Sequence, residues 1–198
     1  MKIRELFSGK VYTVPNFLTL LRVIAVPVII YYMHLEGVTG RREYICYQVF
    51  YFSIVIISDF FDGFIARTFN QMSRFGQFLD PLADKFCLIM LGSSLVYYKG
   101  FPLWVLIIVL LREIVVVLGA VFLFARRDVE VKPSMMGKIG VACMALSALL
   151  YLVSYDYSLF NIISVKLISV SLILIFYIPG SVLYVKNYSA YCFKDKKF

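Results

Sequence analysis

The sequence predicts an all-α integral membrane protein with six transmembrane helices and both termini on the cytoplasmic side. Three observations carry this. Apolar residues make up 62% of the 198-residue chain and charged residues only 16%, with a mean hydropathy of +0.85; soluble domains average roughly 45–50% apolar and about 25% charged residues. The apolar residues fall into six stretches near the ~20 residues that a helix needs to cross a bilayer. Lysine and arginine are shared unequally between the connections on the two sides. Six spans with short loops use up the length, so residues 1–198 read as one membrane domain.

The first span runs from about 15 to 33, after a leading segment that carries Lys2, Arg4 and Lys10 and meets Pro15-Asn16. It is too long for a signal peptide, contains Arg22 and has no small-residue cleavage site, so it is expected to be retained. Gly37 and Gly40 break the chain in a loop from His34 to Glu43, where the single histidine is expected to be solvated. The second span covers about 44–66 and the third about 76–98, joined by a polar turn. Gly100 and Pro102 precede the fourth, about 103–125. A charged loop with Pro133 leads to the fifth, about 135–153, and the sixth covers about 160–184 before a short basic tail. No repeat with a period of 20 to 50 residues is visible.

Orientation follows from the positive-inside bias. With the N-terminus cytoplasmic, Lys2, Arg4, Lys10, Arg67, Arg74, Arg126, Arg127, Lys132, Lys138, Lys186, Lys194, Lys196 and Lys197 fall inside, against Arg41, Arg42, Lys99 and Lys166 outside. Arg22, Lys85 and Arg112 remain within spans and need partners. The net charge of +8 is spread over loops and is not gathered on one soluble face, so anionic lipid is the expected partner and nucleic acid is not. Cys46, Cys87, Cys143 and Cys192 show no C-x-x-C pairing and read as small buried hydrophobes. Tyrosines and phenylalanines near span ends suit interfacial belts. Gly140, Ala142, Ala145, Ser147 and Ala148 give the fifth span a surface that permits close helix contact.

The chemistry concentrates between Ile57 and Phe86, where four of the seven aspartates stand in otherwise oily sequence. Asp59 and Asp62 are three residues apart and Asp80 and Asp84 four, so on helices each pair projects from one face. Spans two and three are expected to form a cytoplasmic hairpin that converges the four carboxylates just below the membrane surface. Intramembrane carboxylates are costly and mark function by default. Four together demand cations, and hard divalent ions such as magnesium take carboxylate oxygens and bridge phosphates. Gly63 and Gly76 leave helix faces that a ligand approaches closely. The pattern fits a phosphate-containing molecule entering from the cytoplasm. A transporter is the competing class, but it predicts acids near the midplane, broken helices and internal symmetry, and the acids here sit at one end of one hairpin.

The segment Asp59-Phe-Phe-Asp62-Gly63-Phe-Ile-Ala66-Arg67, eight residues, then Gly76-x-x-x-Asp80-x-x-x-Asp84 resembles the signature of the CDP-alcohol phosphotransferases, with every fixed position present. Pro15-Asn16-x-x-Thr19-x-x-Arg22, Asp80-Pro-Leu-Ala-Asp84-Lys85 and Arg112-Glu113 look like that family's bacterial phosphatidylglycerophosphate synthase branch. One departure is that Gly137-Lys138 is followed by Ile139-Gly140-Val141, where the branch usually continues with Lys-Thr and a later Gln.

The resemblance implies a cell-membrane enzyme of phospholipid biosynthesis, homodimeric, with its site facing the cytoplasm. Asp59, Asp62, Asp80 and Asp84 would hold two Mg2+ or Mn2+ ions, with Asp84 also the general base. Asn16, Thr19, Asp62, Gly63, Ala66, Arg67 and Gly76 would contact the donor, CDP-diacylglycerol. Arg112, Lys138 and Arg22 would hold the phosphate of a small phosphorylated alcohol, glycerol 3-phosphate first among the choices. The same family with another acceptor or donor, giving cardiolipin, phosphatidylserine or phosphatidylinositol phosphate, or using CDP-choline or CDP-ethanolamine, stays open.

Overall fold

A computed structural model describes residues 13–68, 74–127, 135–153, 158–159 and 163–193. Within the helices, the side chains of residues 63, 64, 66–68, 74, 75, 77, 78, 120–127, 136 and 184–193 lie outside the description. The described residues form six helices: α1 Val14–Thr39, α2 Glu43–Thr68, α3 Arg74–Lys99, α4 Leu103–Arg127, α5 Met135–Leu152 and α6 Val165–Phe193. The expected all-α class holds apart from one small feature. Strands β1, Ser158–Leu159, and β2, Ile163–Ser164, pair antiparallel with Ser158 opposite Ser164. Strand β2 falls in the first residues of the stretch expected as the sixth span, about 160–184, so α6 begins later, at Val165, and its helix continues to Phe193.

The chain divides into two compact units, α1 to α3 and α4 to α6 with the strand pair. In the first unit α1 is the shared element, because both α2 and α3 pack on it. Its start is fixed by Thr13, extended at φ −124° and ψ 155°, whose hydroxyl accepts the Asn16 N–H at 3.5 Å, with Pro15 in the first turn where its missing N–H costs nothing. Its end comes later than expected. The helix runs through Gly37 and stops at Gly40, whose φ of 67° is open to glycine at little cost and whose N–H caps the Glu36 carbonyl at 2.8 Å. His34 is therefore helical, exposed as expected, and beside the Tyr98 hydroxyl at 3.4 Å.

The buried stripe of α1 is Asn16, Thr19, Arg22, Ala25, Val26, Ile29 and Met33, a helical period with its polar members at one end. At the other end Glu36 joins all three helices. It accepts from Lys99 Nζ at 2.5 Å and from Gln48 Nε2 at 2.6 Å, and Gln48 also donates to the Tyr32 carbonyl at 3.2 Å. Lys99 is thus a buried ion-pair partner as well as a basic residue of its loop. Tyr32 stacks on Tyr47 at 4.9 Å between ring centres in the same region.

In the second unit α5 and α6 pack closely, as the small residues of α5 predict. Ser147 and Ser169 hydroxyls meet at 3.0 Å, and Gly140 lies against the Tyr177 ring. Cys46, Cys87 and Cys143 are free thiols; Cys87 is buried as expected, Cys143 half-buried and Cys46 exposed.

Apolar residues cover much of the outside as well as the core. Thr19, Arg22, Gln48 and Ser147 are buried, whereas Phe17, Leu20, Ile24, Trp104, Leu111 and Leu118 face outward. Such a surface is stable against hydrocarbon and not against water. Val14–Thr39, Glu43–Asp62 and Val165–Leu183 are each long and apolar enough to cross a membrane, and Gly137–Leu152 is a shorter apolar helix. The helices are those of a membrane protein.

Candidate active site

The aspartate pairs gather around a cation that sequence reasoning had set elsewhere. Arg22, 3% exposed, lies on the buried stripe of α1 one turn beyond Thr19. Its guanidinium pairs with Asp59 of α2 at 2.9 Å and with Asp62 of α2 and Asp84 of α3, Nη2 serving Asp62 and Nη1 the other two. Thr19, fully buried, donates its hydroxyl to Asp80 Oδ1 at 2.6 Å and contacts the Pro15 carbonyl at 3.1 Å. All four aspartates are therefore reached from α1, through two residues three positions apart on one face.

This refines the expected hairpin. Residues 69–73 of the turn lie outside the described residues, and what brings α2 and α3 into one site is the helix that both pack upon. Sequence reasoning placed Arg22 with the acceptor phosphate; the geometry gives it three carboxylate partners. The signal was present in Asn16, Thr19 and Arg22 at spacings of three, and in a span arginine that required a counter-charge.

The carboxylates differ in access. Asp59 has 61% of its side chain exposed and Asp84 47%, whereas Asp62 has 12%. Asp80 is half-buried, Asn16 and Gly76 are buried, and Gly63, Ala66 and Arg67 fall on the last turns of α2 with side chains outside the described residues. One guanidinium against four carboxylates leaves an excess of negative charge, and the donors are all hard oxygens. Oxygens of this kind are the ones Mg2+ or Mn2+ favour, although among the described residues no three of the acids are set to share one ion, their oxygens being turned to Arg22 and Thr19. Beside it, Val14, Leu18 and Leu21 of α1 with Ile54, Ile57 and Phe61 of α2 line an open apolar groove that Ser58 and Ile65 complete.

In the second unit Arg112 Nη1 pairs with Glu113, and its guanidinium lies 4.6 Å from the centre of the Tyr177 ring. Lys138 is exposed in the first turn of α5.

A model of the CDP-alcohol phosphatidyltransferase family matches residues 12–178, a stretch that contains every candidate site residue. The chain belongs to this family. Among curated members, the CDP-diacylglycerol–glycerol-3-phosphate 3-phosphatidyltransferase of Aquifex aeolicus is 37% identical over 166 residues, 82% of this chain and 89% of that protein. Proteins of the same name from Wigglesworthia glossinidia brevipalpis and Blochmanniella floridana are 35% and 36% identical. Their matches cover 52% and 54% of this chain, and the chain spans about half of their length, 56% and 55%. The family match bears out the resemblance carried by the aspartate signature, and it makes the four carboxylates the first place to look for chemistry.

Proposed function

We propose that this protein is a phosphatidylglycerophosphate synthase of the cytoplasmic membrane, transferring the phosphatidyl group of CDP-diacylglycerol to glycerol 3-phosphate with release of CMP. The observation that carries it is the convergence of Asp59, Asp62, Asp80 and Asp84 on the buried stripe of α1, in a chain that is similar over 82% of its length to a glycerol-3-phosphate phosphatidyltransferase. Six spans, cytoplasmic termini, a cytoplasmic site, a single catalytic domain over residues 1–198 and a homodimer belong to the same proposal.

Asp59, Asp62, Asp80 and Asp84 would hold two divalent ions. Their chemistry is to offset the charge of the donor diphosphate and of departing CMP. Asn16, Thr19, Gly63, Ala66, Arg67 and Gly76 shape the surface for the cytidine and phosphates. The apolar groove between α1 and α2 suits the acyl chains of a lipid donor, since its lining is almost wholly hydrocarbon. Asp84, with nearly half its side chain exposed, takes the proton of the acceptor hydroxyl. The hydroxyl oxygen then forms its bond to the phosphatidyl phosphorus as the bond from that phosphorus to the CMP oxygen breaks. Arg112 and Lys138 supply cationic contacts to the acceptor phosphate; a planar guanidinium grips phosphate oxygens in pairs.

The test uses purified full-length protein with CDP-diacylglycerol and Mg2+ or Mn2+. CMP release that depends on glycerol 3-phosphate, with phosphatidylglycerophosphate identified by mass spectrometry, is the expected result. Release only with serine, inositol phosphate or phosphatidylglycerol reassigns the acceptor, and no CMP release with any of them removes the enzyme reading.

A further inference from the structure

We infer that Tyr177 and Glu113 are positioning residues for the acceptor, acting through Arg112. The inference rests on the reading of Arg112 as a ligand of the acceptor phosphate. Arg112 and Glu113 are neighbours on α4, and adjacent helix positions point about 100° apart. A contact between their side-chain ends therefore forms only when the arginine is bent toward the glutamate. Tyr177 of α6 fixes that arrangement from the other side. Its hydroxyl donates to Glu113 Oε1 at 2.7 Å, the same oxygen that Arg112 Nη1 meets, and its ring lies under the guanidinium at 4.6 Å.

The three groups close a triangle in which each member limits the other two. Tyr177 is itself fixed, with 1% exposure, and α5 comes against its ring at Gly140. The guanidinium is thus held by a carboxylate on one nitrogen and by a ring on one face, which sets its plane. Nε of Arg112 remains buried and without a hydrogen-bond partner among the described residues. An unmet buried donor is costly, and Nε with its neighbouring Nη is the edge through which arginine receives two phosphate oxygens. The geometry leaves that edge for an anion while the rest of the guanidinium is engaged. Glu113 adds no net attraction for phosphate, since its charge cancels that of Arg112; its contribution is orientation.

A tie between α4 and α6 with no part in acceptor binding would be equally well made by these contacts, so the experiment separates the two. Initial rates of Tyr177→Phe, Glu113→Gln, Arg112→Ala and Arg112→Ala/Tyr177→Phe are measured in detergent against glycerol 3-phosphate and, separately, CDP-diacylglycerol. Thermal unfolding serves as the folding control. Tyr177→Phe keeps the ring and loses only the hydroxyl bond. Its KM for glycerol 3-phosphate should rise roughly 3- to 10-fold, the scale of one ordinary net hydrogen bond felt through Arg112, with the KM for CDP-diacylglycerol unchanged. In the double variant the hydroxyl loss should add nothing to the effect of Arg112→Ala.

Should Arg112→Ala leave the KM for glycerol 3-phosphate unchanged, the reading of Arg112 itself fails. If Arg112→Ala raises it and Tyr177→Phe does not, Arg112 stands and its positioning by Tyr177 is overturned. Equal, additive losses toward both substrates, or a fall in thermal stability with unchanged KM values, assign the triangle to structure alone. Should Tyr177→Phe fail the folding control, Glu113→Gln, which keeps the side-chain shape, decides by the same KM comparison.

Discussion

At the scale of single residues, the site is organised by Arg22. A buried guanidinium without partners would be strongly destabilising, and a cluster of carboxylates without a cation would repel itself; each supplies what the other lacks. Asp84, like Asp59 across from it on α2, combines contact with Arg22 and substantial exposure. It is the carboxylate of α3 best open to an incoming hydroxyl. Asp84→Asn keeps the shape and removes the proton acceptor, so kcat should fall roughly 100- to 10,000-fold, the usual reach of general-base catalysis, with CDP-diacylglycerol binding retained by equilibrium titration. Turnover near that of the parent protein would take the base assignment away from Asp84. The aspartates were legible in the sequence because charge in an apolar segment stands out. The role of Arg22 was not, because its partners lie 37 to 62 positions away and only packing decides which cation meets which acid.

Helix contacts show the same division between what spacing reveals and what it does not. The stripe of small residues on α5 announces a close neighbour without naming it. The structure supplies α6, and at Gly140 the approach is so close that a Cβ would sit 2.9 Å from Tyr177 Cδ2 and 3.4 Å from its Cα. A ring as buried as that of Tyr177 has little freedom to yield, and overpacking of this kind costs typically 1–3 kcal/mol. Gly140→Ala should therefore lower the thermal unfolding midpoint of the detergent-solubilised protein by several degrees, whereas Val141→Ala, on the exposed side of the same turn, should leave it within a degree. Equal midpoints for the two variants would show that α5 and α6 have room to adjust. Helix ends were less legible than helix cores. Gly37 and Gly40 look alike as breakers, yet only Gly40 takes the left-handed conformation that ends α1, since a lone glycine inside a strongly apolar helix costs only about 1 kcal/mol. The start of α6 was obscured in the same way, because Ile163 and Ser164 read as part of an apolar span while their backbone pairs with Ser158 and Leu159 as strands.

For the molecule as a whole, the division into two units sets where ligand binding should be felt. The carboxylates of α2 and α3 and their partners on α1 belong to one unit, and the Arg112, Glu113 and Tyr177 triangle of α4 and α6 to the other. A ligand that binds the folded state and not the unfolded one stabilises it by mass action, about 2.7 kcal/mol at a concentration 100 times its Kd. That free energy suppresses the local openings of the elements that hold the ligand before it affects others. Mn2+ at saturating concentration should therefore slow amide exchange in the peptides of α2 and α3 that carry Asp59, Asp62, Asp80 and Asp84, and in the first turns of α1 that reach them through Thr19 and Arg22. Peptides of α5 and α6 should change far less, and Asp59→Asn/Asp80→Asn should abolish the effect. Exchange slowed uniformly along the chain would mean that the two units open together, and an effect that persists in the double variant would place the metal away from the aspartates.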